Sequence, residues 1–428
     1  MNHLARGNRR YHGRGRGKWG GGGARRPAIL PTLAPPLGEI LATIQHDDLQ
    51  EPESQENDPA RITNSHYLTS YNWLSGANRE IIVPGEPPAW TPLSDPPQLR
   101  EDSGQYYRDP NAARFPTYPL EPAIQAILTE KPEFPLSSVD IIGCGSTLGN
   151  LLRFARGQAH PFRMLVEVVG NTVFFIRREN SPTETLVDVR GYGHTFPEAY
   201  TSWSMSVQGS ESHQRLVHYD FSGMSCLVRF EVDGFLPDLI PEDLKMQKDP
   251  TPENGDVNAE DLVSHIHGFM ISSAHSATTN AETKDLKISN KGRHIPQCGV
   301  FDLKTRSVKK INVNTIAEEL PRLWIRQIPN FVLAYHTFGK FNDIRIQDVR
   351  EELKHWEERE QPALVKFASL LQMVVSFARS SDNGRLEIEH EEDEKVLNLR
   401  EPGGVVDRVL PSVLTSEWGF GNSSGETP

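Results

Sequence analysis

Cysteine is nearly absent from this chain. The three present, Cys144, Cys226 and Cys298, lie far apart and form no Cys-x-x-Cys pair, which excludes a disulfide framework and a structural zinc site of ordinary spacing. Buried, unreactive thiols are the expectation. Long apolar runs are missing too. No stretch approaches the ~20 apolar residues that span a bilayer, and the first residues lack the apolar core of a secretory signal, so a soluble intracellular protein without a membrane partner is expected. The turn "GSTLGN" at 145–150 lacks the Gly-Lys-Ser/Thr ending of a Walker loop and argues against a nucleoside-triphosphate site. Its glycines suit a tight strand-to-helix turn, whose helix start still offers amides to a phosphate.

Basic charge is concentrated in one place. Residues 1–26 hold eight Lys or Arg and no acid, leaving 37 Lys or Arg against 57 Asp or Glu beyond them, a net of −20. The segment 1–27, "RGNRRYHGRGRGKWGGGGARR" at its centre, combines flexible glycine, phosphate-binding arginine, and Tyr11 and Trp19 for stacking on bases, a composition that contacts nucleic acid without a fold of its own. Residues 28–136 are rich in Pro, Asp, Glu and Asn and are expected to be extended or partly ordered, with local docking through Tyr71, Trp73 and Trp90 and room for a protein partner.

From about residue 137 the texture becomes that of a folded domain, expected to reach residue 385 and to be followed by a tail at 386–428. "VDIIGCGSTLGNLLRF" reads as strand into helix, "FRMLVEVVGNTVFFIRRE" as a hairpin turned at Gly170-Asn171, and "RLVHYDFSGMSCLVRFEVDGF" as two strands around Ser222-Gly223. A helix is expected to start at Thr195. A polar insertion at 238–298, with one short helix near "EDLVSHIHGFM", separates these from the strand "VFDLKTRS", the helix "IAEELPRLWIRQ", two further strands and the apolar helix "QPALVKFASLLQMVVSFARSS". The order implies an α/β or α+β domain: a mixed central sheet flanked by helices.

Two of these strands carry unexpected charge. Successive strand side chains alternate faces, so Glu231 and Asp233 share one side of "FEVDGF", and Asp302 and Lys304 one side of "VFDLKTRS". Charge on a core strand costs several kcal/mol unless it is paired or binds a metal. Mg²⁺ or Mn²⁺ supplies one reason, because hard divalent ions take carboxylate oxygens and phosphate oxygens together, and a neighbouring lysine stabilises charge developing on the phosphate. Such chemistry needs no histidine, so His194, His213 and His218 receive no role.

The pattern resembles the PD-(D/E)XK nuclease superfamily and, in motif order, the fungal and animal RNA decapping exonuclease family within it. "GHTFPE" (Gly193 to Glu198), "EVD" (Glu231, Asp233), "DLKT" (Asp302, Lys304, Thr305) and "WIRQ" (Trp324, Gln327) follow one another as that family's motifs do. The resemblance implies a nuclease-like fold, Glu198, Asp233 and Asp302 as ligands of Mg²⁺ or Mn²⁺, and Glu231, Lys304 and Gln327 as catalytic side chains. It also implies RNA 5′ ends as substrate, in decapping, pyrophosphohydrolysis or 5′–3′ exonucleolysis, and the nucleus or cytoplasm as compartment. Cys144-Gly145 stands where the family has Arg-Gly, and Asp302 where it has glutamate. These departures keep open a second class, a weak or inactive nuclease fold that binds RNA or a protein.

Overall fold

Two mixed sheets organise the computed structural model, which describes residues 32–49, 59–76, 79–186, 189–242, 286–392 and 394–418. The basic arm and the helix expected near "EDLVSHIHGFM" lie outside the described residues. Residues Ala34–Pro428 form one compact unit, distinct from Met1–Leu33.

The strands are, in chain order, β1 (Ile40–Gln45), β2 (Ile62–Leu74), β3 (Glu80–Gly85), β4 (Ala89–Trp90), β5 (Ile141–Cys144), β6 (Phe162–Val169), β7 (Thr172–Arg177), β8 (Thr201–Ser202) and β9 (Ser210–Phe221). They continue as β10 (Met224–Val232), β11 (Gly234–Phe235), β12 (Lys287–Gly292), β13 (Val300–Ser307), β14 (Asn330–Thr337), β15 (Lys340–Asp348), β16 (Arg385–His390) and β17 (Val396–Arg400). The helices are α1 (Pro110–Arg114), α2 (Glu121–Glu130), α3 (Gly145–Ala155), α4 (Thr195–Tyr200), α5 (Thr315–Arg326), α6 (Arg350–Arg359), α7 (Gln361–Ser380) and α8 (Ser412–Thr415).

Eleven strands make the larger sheet, in the order β1-β17-β16-β6-β7-β5-β10-β9-β2-β3-β12, and six make the smaller, β15-β14-β13-β11-β4-β8. Parallel neighbours (β5 with β7 and β10, β13 with β14) stand beside antiparallel hairpins. The fold is thus α/β with mixed sheets and flanking helices. The β9–β10 hairpin turns at Ser222 and Gly223, both with positive φ (48° and 78°), as a two-residue turn matched to strand twist requires.

One face of the large sheet packs against α3, α5 and α7, where Phe221 meets Trp324 and Phe367. The other face packs against α2, with Tyr71, Trp73, Phe174 and Trp418 buried. A third cluster of Trp90, Phe196, Tyr200, Phe301 and Phe341 fastens α4 to the small sheet. By length and apolarity α7 would reach across a bilayer, beyond what the reading of apolar runs expected. It is spent on the core, with Leu364, Phe367, Leu371 and Val374 buried.

Order extends further than the sequence suggests at both ends. Within 28–136, β2 is a thirteen-residue strand held between β9 and β3, and the Tyr71 hydroxyl and Trp73 Nε1 both donate to Asn111 Oδ1 of α1 (3.0 and 2.8 Å). Within 386–428, β16 pairs with β6, and β17 with β16 and β1. The acids of β16 do not expose it: Glu387 is fully buried and bound by Arg163 and Arg178. Residues 287–292 of the insertion form β12, parallel to β3. Cys144 and Cys226 are buried, whereas Cys298 is exposed.

Candidate functional site

The charged strands belong to different sheets, and Asp233 is the residue between them. β10 leaves the large sheet at Val232, and the chain enters the small sheet as β11 at Gly234. Only glycine fits there, since a Cβ on Gly234 would lie 2.6 Å from the Phe301 ring and 2.7 Å from the Pro88 carbonyl. Gly234 pairs with Phe301, which sets Asp233 beside β13. Its Oδ2 accepts the Leu303 N–H at 2.6 Å.

Asp302 and Lys304 both turn toward α5. This helix begins at Asn314, whose side chain accepts the Ala317 N–H (3.2 Å), and it presents Glu319, Arg322 and Arg326 at spacings of three and four, hence on one face. Asp302 is 2 % exposed. Its Oδ1 accepts from Arg322 Nη2 (2.8 Å) and its Oδ2 from Arg326 Nη1 (3.1 Å). Lys304 Nζ lies 3.4 Å from Glu319 Oε1, and Arg322 Nε 2.9 Å from Glu319 Oε2. The core-strand charge is therefore matched by an opposite charge set on the facing helix.

The electrostatics follow from this layout. Burial drives the Asp233 carboxyl well above the usual range, the Asp302 charge adds to it, and Arg322 only partly offsets the two. Glu231 is exposed and accepts from Gln214 Nε2 at 3.4 Å; the protein around it raises its carboxyl, and Gln214 and Arg326 oppose that. For Arg322, burial opposes the charged form, but Asp302, Glu319 and Asp233 together raise the guanidinium above its ordinary value. Arg326 is lowered by burial and by the like charge of Arg322.

Glu231, Asp233, Asp302 and Lys304 thus share one seam. Glu198 is exposed on α4. Gln327 ends α5 in the left-handed conformation (φ 52°), its Nε2 turned back to the Trp324 carbonyl (2.6 Å) and its own carbonyl accepting from Gln297 (2.8 Å). Among the described residues, no three His, Cys, Asp or Glu side chains converge as an ion would require. Each oxygen of Asp302 accepts one charge-assisted bond from arginine and keeps a second lone pair, so Asp233 and Asp302 are the carboxylates of the seam that would hold a divalent cation.

Two features escaped the sequence reading. The arginines of α5 were legible as Glu-x-x-Arg-x-x-x-Arg within "EELPRLWIR", but nothing local says which strand they face. The second is buried Asp102, which accepts from the His194 and Thr195 N–H groups (3.1 and 2.9 Å) and lies 3.3 Å from His194 Nδ1. Burial works against its ionisation, yet these bonds hold it below the usual carboxylate range. Tyr106 stacks on the His194 ring with centroids 3.5 Å apart.

The model of one family, a domain of unknown function (DUF8563), matches residues 43–411. The chain belongs to the DUF8563 family. A comparison with curated protein sequences finds no match. Among solved structures, this DUF8563 chain resembles Scheffersomyces stipitis Rai1 in complex with (3′-NADP)+ and calcium ion, at 11 % identity and TM-score 0.54 over 91 % of this chain and 99 % of that one. It also resembles Candida albicans Rai1 in complex with pU5-Mn2+ (10 %, 0.53, 85 % and 96 %) and S. pombe Rai1 in complex with 3′-FADP (9 %, 0.53, 84 % and 99 %). The likeness is one of fold and spans nearly the whole of each neighbour.

Proposed function

We propose that this protein recognises RNA 5′ ends, as a binding member of the decapping-exonuclease fold. The observation that carries this reading is Asp302, whose two oxygens are held by Arg322 and Arg326, so that guanidinium charge stands where the resemblance expects a cation. An RNA ligand is supported by the pU5 complex of Candida albicans Rai1 on the same fold. The eight cationic side chains of residues 1–26 add phosphate contacts that weaken with salt. An arm of that kind suits the nucleus and the cytoplasm alike.

A second reading is Mg²⁺- or Mn²⁺-dependent hydrolysis at RNA 5′ ends, with Glu198, Asp233 and Asp302 as the ligand set and Glu231, Lys304 and Gln327 around the reacting phosphate. The adjacency of Asp233 to Asp302 across β11 and β13 favours it, as do the manganese and calcium ions of two neighbours. It requires the ion to take the Asp302 lone pairs that Arg322 and Arg326 leave unused.

The test incubates the full chain with Mn²⁺ and RNAs of one sequence bearing a 5′-triphosphate, 5′-monophosphate, unmethylated cap or methylated cap, beside Asp302→Ala and Lys304→Ala. Binding of at least one end without turnover by any of the three proteins is the expected result. Removal of an end group or degradation by the parent, lost in Asp302→Ala, would overturn the binding reading and establish the second.

A further inference from the structure

A pocket of ≈ 490 Å³ opens between the start of α3 and the face of α5. Its wall includes Arg153, Arg156, Arg322 and Arg326, together with Gly145 and Ser146 of the first turn of α3. We propose that this pocket binds the terminal phosphate of RNA directly through arginine, without a divalent ion. The proposal rests on the RNA-end reading for its macromolecule. The pocket and the seam share Arg322 and Arg326, so an end held here lies against Asp302.

The argument is one of unmatched charge. The acids of the wall, Glu318 and Glu319, already face Arg306, Lys304 and Arg322. Arg156 is spent on Glu360 (3.0 Å). Arg153 instead is exposed at the pocket wall and donates to the neutral Asn150 Oδ1 (3.1 Å); the surrounding protein, Arg322 and Arg156 lower its guanidinium, and Glu319 opposes them. Among the described residues Arg153 is the guanidinium of these four without an ion pair, so an anion entering the cavity meets a cation that no carboxylate has yet matched.

Two further details aim the pocket at phosphate. Arg326 Nε is buried beneath Gly145 and has no hydrogen-bond partner among the described residues, so this side chain is left with an unmade bond beside the pocket. A Cβ on Gly145 would meet that same Nε at 3.0 Å, so the glycine lets the guanidinium lie against the amides and positive end of an eleven-residue helix. Arginine forks and helix amides together are the donor set that phosphate oxygens select.

The experiment uses the full chain in EDTA and a 3′-labelled oligouridylate carrying either a 5′-phosphate or a 5′-hydroxyl, read by anisotropy, with inorganic pyrophosphate as competitor. The 5′-phosphate is expected to bind about tenfold more tightly, and Arg153→Glu to erase that preference while leaving the 5′-hydroxyl RNA unchanged. Arg350→Ala, at an exposed pair with Asp348, should match the parent. If Arg153→Glu fails to fold, Arg153→Ala and Arg156→Gln serve in its place. A preference that needs Mn²⁺, or one that survives these variants, overturns the proposal while leaving RNA recognition standing. Pyrophosphate protection against heat that depends on Arg153, with no binding of either RNA, upholds the pocket and removes the RNA reading.

Discussion

Replacing Asp302 by alanine tests whether the charged strand is scaffold or ion site, because the two make opposite predictions for stability. In the scaffold, truncation leaves the Arg322 and Arg326 guanidiniums facing each other without their shared carboxylate. Breaking a buried pair costs about 3–5 kcal/mol. With the two arginine side chains 29 % and 17 % exposed, and with Asp233 relieved of a like charge, the lower end, about 3 kcal/mol, is expected. For a unit of this size that corresponds to a fall in Tm of about 3–4 °C. In an ion site without its ion, removing one of several crowded acids relieves repulsion and raises Tm, as destabilised functional sites do. Thermal unfolding in EDTA reads the sign directly. An unchanged or higher Tm for Asp302→Ala refutes the ion-pair account of the seam.

Other consequences are open to simple measurement. Glu121, fully buried in the first turn of α2, is pushed up to about 7 by burial, so between roughly pH 4.5 and 7 the folded chain keeps a proton that the unfolded chain has released, and stability is lost as pH rises through that window. Glu121→Gln should therefore raise the unfolding free energy from urea titration at pH 8, by at most about 3 kcal/mol, and hardly at pH 4; an equal gain at both would contradict the assignment. Gln327→Gly should hold or slightly raise Tm, since glycine suits a left-handed helix end, and should leave RNA binding intact; a selective loss of binding would instead place the Gln327 side chain on the ligand. Removing residues 1–26 should flatten the dependence of RNA affinity on salt, and an unchanged slope would dismiss the arm as a phosphate contact. A chain starting at residue 137 should be insoluble, because β9 would lose its partner β2, and a soluble, cooperatively melting fragment would count against that.

Much of the fold's centre was legible, and the reason is local. The Ser222-Gly223 turn, the strand-to-helix step at Cys144-Gly145 and the shared face of Asp302 and Lys304 depend on residues within a few positions of one another. What escaped depends on distant partners. β2 is dense in Tyr, Thr and Trp, but proline-rich flanks hid it, and its burial between β9 and β3 is a property of the sheet. β16 reads as solvent-facing because of Glu387 and Glu389, until Arg163, Arg178 and Arg400 arrive from β6, a loop and β17. Asp302 follows the same rule. An acid on a strand announces that something positive lies opposite, and spacing alone does not distinguish a guanidinium from a metal ion.

The pairing of β1 with β17 has a bearing on how the chain comes to be folded at all. Residues 40–45 form an edge of the large sheet only against residues 396–400, and β2 waits for β9, well over a hundred residues later. Contacts so distant in sequence close slowly. During synthesis β1 must remain unpaired until residues 396–400 emerge, whereas β2 finds β3 within a few residues and β9 by residue 221. A sheet whose outer strand is completed only by residues 396–400 leaves an edge open to wrong pairing until they arrive.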